Sequence, residues 1–117
     1  YLKPSRFIKL DEKMVKSIEK TLKKLKIPYS RCTTWTTDAI FRETTSMIEY
    51  RKSEGCGVVE MECSALAAVA EFRKAKFGQL LFMADSLIDS QNHDTKNWGR
   101  ELHEKLPPIC LEIISDM

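Results

Sequence analysis

The chain has 117 residues, 43% of them apolar and 31% charged, ordinary values for one modest soluble globular domain. A net charge of +2 gives no strong field for a polyanion, and the apolar runs fall short of a membrane span, so neither nucleic acid nor membrane is an expected partner. The start, YLKPSRFIKL, lacks the long apolar core of a secretory signal, and a cytoplasmic location is expected.

In chain order, DEKMVKSIEKTLKKLK (11–26) predicts a helix. Met14, Val15, Ile18, Leu22 and Leu25 recur at helical spacing, and Asp11 is placed to cap the start. Lys13, Lys16, Lys20, Lys23 and Lys24 form a solvated face; a nucleic-acid patch would interleave aromatic residues, and none occur here. Pro28 ends the helix. YSRCTTWTT (29–37) is rich in β-formers and predicts a strand. TTDAIFRET (36–44) is a polar passage into a helix over 44–54. Gly55 and Gly57 punctuate, and GVVEM (57–61) predicts a short strand. CSALAAVAEFRKAK (63–76) predicts a helix whose apolar face is Leu66, Val69, Ala70 and Phe72. FGQLLFMAD (77–85) reads as a third strand covered on both faces. A polar loop (86–97) holds His93, and a last helix over 98–116 has Pro107 and Pro108 as a kink or an interruption. Cys32, Cys56, Cys63 and Cys110, separated by 24, 7 and 47 positions, match no zinc or redox pattern, so reduced core thiols are expected.

Alternating strands and helices imply an α/β fold with a partial mixed or parallel sheet and flanking helices. Three strands make a thin sheet, so residues 1–117 read as a single α/β segment of a larger domain. The initial Tyr1 fits removal of a leading segment or an origin within a longer chain.

Ligands of open α/β sheets sit at the carboxyl ends of the strands. Three polar clusters fall at such ends: TTDAIFRET, EMEC and ADS. Glu62 enters a helix, where the dipole favours a carboxylate; it is either a helix-start acid or an acceptor for two neighbouring hydroxyls, as a ribose cis-diol presents. Glu60 alternates with Val59 and Met61 and faces the other side, paired with a cation; Met61 is core or lies against a sugar. Asp85 follows seven uncharged residues, GQLLFMA, and is either a loop cap or a proton donor with a raised pKa.

The stretch VVEMECSALAAVAEFRKAKFGQLLFMADS (58–86) resembles the second half of the nucleoside phosphorylase family that includes purine nucleoside and uridine phosphorylases. The shared pattern is a glutamate-methionine-glutamate motif, an alanine-rich helix, and an apolar strand ending in Ser-Asp or a variant. TTDAIFRET is similar to the family's upstream segment, at a similar spacing. The resemblance implies attack of phosphate on the anomeric carbon of a nucleoside and release of the base. Phosphate is then a co-substrate, and no cofactor or metal is expected. It implies that Glu62 holds the ribose 2′ and 3′ hydroxyls, that Met61 contacts the sugar, and that Glu60 supports the pocket. Ile40 or Phe41 packs on the base. Asp85 protonates or hydrogen-bonds a purine ring. Arg100 is similar to an arginine that assists this aspartate, although the loop before it is longer here; otherwise it is a solvated helix arginine. Neighbouring subunits often complete each other's sites in the family, so a homo-oligomer is expected.

The chain also departs from the pattern. It has four glycines and no phosphate-cradling loop, which implies a C-terminal half whose phosphate site lies elsewhere. Ala84 stands where many relatives have Ser. The glutamine–arginine pair of uridine-specific members is not found in TTDAIFRETTSMIEY, and with Asp85 this favours a purine over a pyrimidine. Two alternatives stay open: a nucleosidase of the same fold, using water, and a catalytically inactive nucleoside-binding or assembly domain.

Overall fold

The computed structural model describes residues 3–83, 86 and 100–117. It is an α/β protein whose chain divides into two compact units, Tyr1–Met14 with Tyr29–Gln79, and Val15–Pro28 with Leu80–Met117.

The first unit is built on two parallel strands, β1 (Thr33–Thr36) and β2 (Cys56–Glu60). β1 is a run of β-branched and aromatic residues, TTWT, and β2 carries Val58 and Val59 at its centre; such side chains suit a pleated, half-buried surface. Parallel neighbours need a crossover. Here it is a 3₁₀ turn (Ile40–Arg42) followed by α2 (Thr45–Ser53). Met47 N–H donates to Thr44 Oγ1 at 3.3 Å, which caps α2, and Gly55 at φ +83° turns the chain into β2. The ladder pairs Thr33 with Cys56, Thr34 with Val58, Trp35 with Val59 and Thr36 with Glu60, with a slip between Thr33 and Thr34.

Trp35 and Ile48 are buried in this unit. The Arg51 guanidinium lies 5.5 Å from the Trp35 ring centre, and Arg6 lies 5.4 Å from that of Tyr50. Glu54 joins the two cations, accepting from Arg6 at 2.6 Å and from Arg51 at 2.9 Å. The Arg6 hydrogen bond, seconded by Arg51, holds the Glu54 carboxyl below the usual range.

Helix α3 (Cys63–Arg73) follows β2 directly and lies against β1. Its buried residues are Cys63 and Ala67, small side chains one turn apart that let the helix approach the sheet closely. The face expected to be core therefore points outward: Leu66, Val69 and Phe72 are 49%, 59% and 56% exposed. The helix ends on a left-handed Lys74 (φ +55°), with Ala75 N–H donating to the Ala70 carbonyl at 2.8 Å. Glycine adopts this conformation without the cost a Cβ carries, roughly 1 kcal/mol. Lys74→Gly is expected to stabilise the protein by about that amount, raising the thermal midpoint by about 4 °C. A lowered midpoint in a thermal melt would contradict the left-handed cap.

The second unit takes most of α1 (Glu12–Lys24), with α4 (Arg100–His103) and α5 (Leu106–Ser115). The start of α1 is capped as expected, Met14 N–H donating to Asp11 Oδ1 at 2.9 Å. Ile18, Leu22 and Ile113 form its core, with Ile27, Leu80 and Ile109 packed against them. The fully buried Thr21 hydroxyl donates to Asp116 Oδ2 at 3.2 Å. Lys24, one of the lysines expected on a solvated face, reaches Glu112 at 2.7 Å and Asp116 at 3.2 Å. These bonds raise the Lys24 pKa and lower that of Asp116.

Three expectations change. Among the described residues, the sheet has two strands, and 77–83 forms no ladder with either. That run is half-buried up to Phe82, and Leu80 packs on the isoleucine–leucine core; an apolar run signals burial without saying whether a strand or a helix supplies it. The last helix is two: of the kink or interruption expected, the chain has an interruption, and Pro107 and Pro108 lie in the first turn of the second helix, which needs no N–H from them. All four cysteines are free, but Cys63 alone is buried; Cys56 is half-buried, and Cys32 and Cys110 are exposed. Among the described residues, no helix is long and apolar enough to cross a membrane.

Candidate active site

The carboxyl ends of β1 and β2 lie side by side, because Thr36 pairs with Glu60 and Thr37 N–H donates to the Glu60 carbonyl at 2.8 Å. Two expected polar segments, TTDAIFRET and EMEC, therefore leave the sheet from one edge. Parallel pairing makes this so: strands running the same way end at the same edge.

Glu60 ends β2, and its carboxylate turns onto the start of α3. Oε2 accepts the backbone N–H of Glu62 at 2.7 Å and of Cys63 at 2.5 Å. Oε1 accepts the Thr36 hydroxyl in a short hydrogen bond and the Thr34 hydroxyl at 3.4 Å. Thr36 Oγ1 in turn accepts Ser64 N–H at 3.1 Å. The unpaired N–H groups of a helix's first turn are thus met by one carboxylate and one hydroxyl. A cation paired with Glu60 was expected; neighbouring amides and hydroxyls occupy it instead, because the strand register puts Thr34 and Thr36 on its side of the sheet.

Glu62 is the N-cap residue of α3, yet its side chain makes no capping hydrogen bond and is exposed. Met61 beside it is 44% exposed, so it is not core. Ile40 and Phe41, in the 3₁₀ turn beyond β1, are 74% and 82% exposed. Buried Thr37 anchors the approach to that turn, its hydroxyl donating to the Ala39 carbonyl at 3.2 Å, and Arg42 pairs with Asp38 at 3.0 Å. Next to the acids, burial pushes the Cys63 thiol pKa up, and the Glu60 charge adds to it. A thiol so placed is a packing group.

Arg100 is exposed at the first position of α4, in the second unit. Asp85, with Ala84, His93 and Trp98, lies outside the described residues. The structure thus brings Glu60, Met61, Glu62, Ile40 and Phe41 to one unit and one sheet edge. Thr34 and Thr36 were not among the expected site residues. Their signal was present in the alternation of TTWT opposite an acid, but reading it needs the register.

Two surface depressions of the first unit lie elsewhere. One, lined by Arg31, Cys32, Thr33, Gly55 and Gly57, opens at the amino ends of the strands. The other lies between the segment before α1 and α3, at Leu10, Ala67, Ala70 and Phe77. Neither is lined by the three residues of the Glu-Met-Glu corner. Fold chemistry favours the carboxyl edge, where the uncommitted carboxylate stands. Among the described residues, no group of three or more His, Cys, Asp or Glu is placed to hold a metal ion.

The family model described as the phosphorylase superfamily matches residues 1–114. No curated protein and no solved structure matches the chain.

Proposed function

This chain belongs to the phosphorylase superfamily, and on that premise we propose that it supplies the ribose- and base-binding half of a nucleoside phosphorylase. The family carries the coarse class, phosphorylase- or nucleosidase-type chemistry on a nucleoside, with phosphate as the second substrate of a phosphorylase. The finer reading rests on one observation: the Glu62 carboxylate stands exposed at the carboxyl end of β2, released from capping α3 because Glu60 does that work.

In the proposed reaction the glycosidic C–N bond breaks as a bond forms between the anomeric carbon and a phosphate oxygen. The bonding pair leaves with the base, which takes up a proton. Glu62 accepts the 2′ and 3′ hydroxyls, and the half-exposed Met61 lies along the sugar. Ile40 or Phe41 offers an apolar surface to the base. Asp85 is the proposed proton donor to a purine, with Arg100 assisting. Holding the sugar and base in register with phosphate is the main contribution of such a site. The first-turn N–H groups of α3 are already taken by Glu60 and Thr36, so the proposal puts phosphate on other residues of the complete site. Association of copies in the cytoplasm belongs to the same reading; the exposed Leu66, Val69 and Phe72 on α3 support it.

Base release from inosine, adenosine and uridine, followed with and without phosphate on the full-length protein, tests this. Release that requires phosphate, from a purine nucleoside, is the expected result. Release in its absence would transfer the chain to the nucleosidases. Nucleoside binding with no release at any phosphate concentration would make it a binding domain.

A further inference from the structure

We infer that Glu60 is a positioning residue that never touches substrate: it clamps the β2–α3 corner to β1 and so aims the backbone of Met61 and the carboxylate of Glu62. The inference rests on the ribose-binding reading above, and it gives a physical form to the expectation that Glu60 supports the pocket while Met61 and Glu62 meet the sugar.

A carboxylate offers about four lone-pair directions. Those of Glu60 meet Glu62 N–H, Cys63 N–H, the Thr36 hydroxyl and the Thr34 hydroxyl, two on each oxygen. No direction is left for a ribose hydroxyl. Glu62 has the opposite condition, an exposed carboxylate without a bond to its helix. Two acids one residue apart thus divide the work, the first holding and the second held.

The clamp crosses from one strand to the next. Thr36 donates to Glu60 and accepts from Ser64 N–H, so a single hydroxyl links β1 to the end of β2 and to the first turn of α3. Glu60's own carbonyl accepts Thr37 N–H from the same side. Glu62 N–H is the donor nearest the proposed ribose ligand, and fixing it fixes where the Glu62 side chain starts. An ionised acid at a helix N-terminus is also favoured by the helix dipole.

Amide hydrogen exchange and nucleoside affinity, read together, test the inference. First-turn amides normally lack an intrahelical partner and exchange fast; those of Glu62, Cys63 and Ser64 are expected to be protected. In Glu60→Gln and in Thr36→Val, which keeps the β-branched shape, this protection and the inosine affinity are expected to fall together, each by about tenfold. Circular dichroism identifies any variant that fails to fold, and Thr36→Val then carries the test. Affinity lost with protection intact would make Glu60 a direct ligand and overturn the inference. Protection lost with affinity intact would reduce Glu60 to a helix cap and overturn it equally. If the wild-type protein binds no nucleoside, the ribose reading falls, and positioning for ribose with it; protection at 62–64 would still show whether the clamp exists.

Discussion

Replacing Glu62 by alanine is expected to weaken nucleoside binding by about 100-fold while leaving the protein folded. Two hydrogen bonds from neighbouring hydroxyls to a carboxylate contribute about 1.5 kcal/mol each at the lower end, roughly 3 kcal/mol together. At about 1.4 kcal/mol per decade that is the stated loss. The folding side of the balance is small. Glu62 is exposed and makes no capping bond, so its removal costs on the order of 0.5 kcal/mol, mostly through the helix dipole. Calorimetric titration with inosine, beside a thermal melt, separates the two quantities. Unchanged affinity with a slightly lower melting point would mean that Glu62 is only a helix-start acid. Glu62→Gln is expected to fall between, because the amide keeps one acceptor oxygen and loses the charge.

Leu22→Ala is the substitution expected to cost most stability, about 3 kcal/mol. Leu22 is 2% exposed and sits with Ile18 and Ile113 at the centre of the second unit's core. Truncation removes three carbons from water-free packing and leaves a cavity that the surrounding isoleucines fill only in part. Against a total stability of about 5–15 kcal/mol, such a loss is expected to lower the thermal midpoint by about 10 °C. Leu25 is the internal comparison. It belongs to the same predicted apolar face but is 39% exposed, and Leu25→Ala is expected to cost under about 1 kcal/mol. Equal effects from the two leucines, in parallel urea or thermal melts, would contradict the burial seen along α1.

The two leucines show how far a sequence pattern reaches. Helical spacing identified both as apolar-face residues, and burial separated them only when α5 brought Ile113 to Leu22. The same limit applies to α3. Leu66, Val69 and Phe72 are the large apolar residues, so they looked like the core face, yet Cys63 and Ala67 are what the helix buries. Hydrophobic period tells which residues share a face and not which face meets the sheet, and close helix–sheet approach selected the small side chains. The run 77–83 carried a burial signal that could be met by packing as well as by pairing, and among the described residues packing met it.

From sequence by itself came the α/β class, α1, α2 and α3 within a few residues of their ends, the Asp11 cap, and the two strands whose carboxyl ends carry the polar motifs. These follow from local chemistry: side-chain period, capping oxygens, β-branching, and the backbone limits of proline and glycine. The Glu-Met-Glu motif was legible as a motif for the same reason. Which of its acids is held and which is uncommitted was not. That was decided by the register of β1 against β2, which sets Thr36 opposite Glu60 across 24 residues of chain. Local sequence shows the alternating threonines but not which residue they face, since either glutamate satisfies the helix dipole equally well until the neighbouring strand supplies a hydroxyl to one of them.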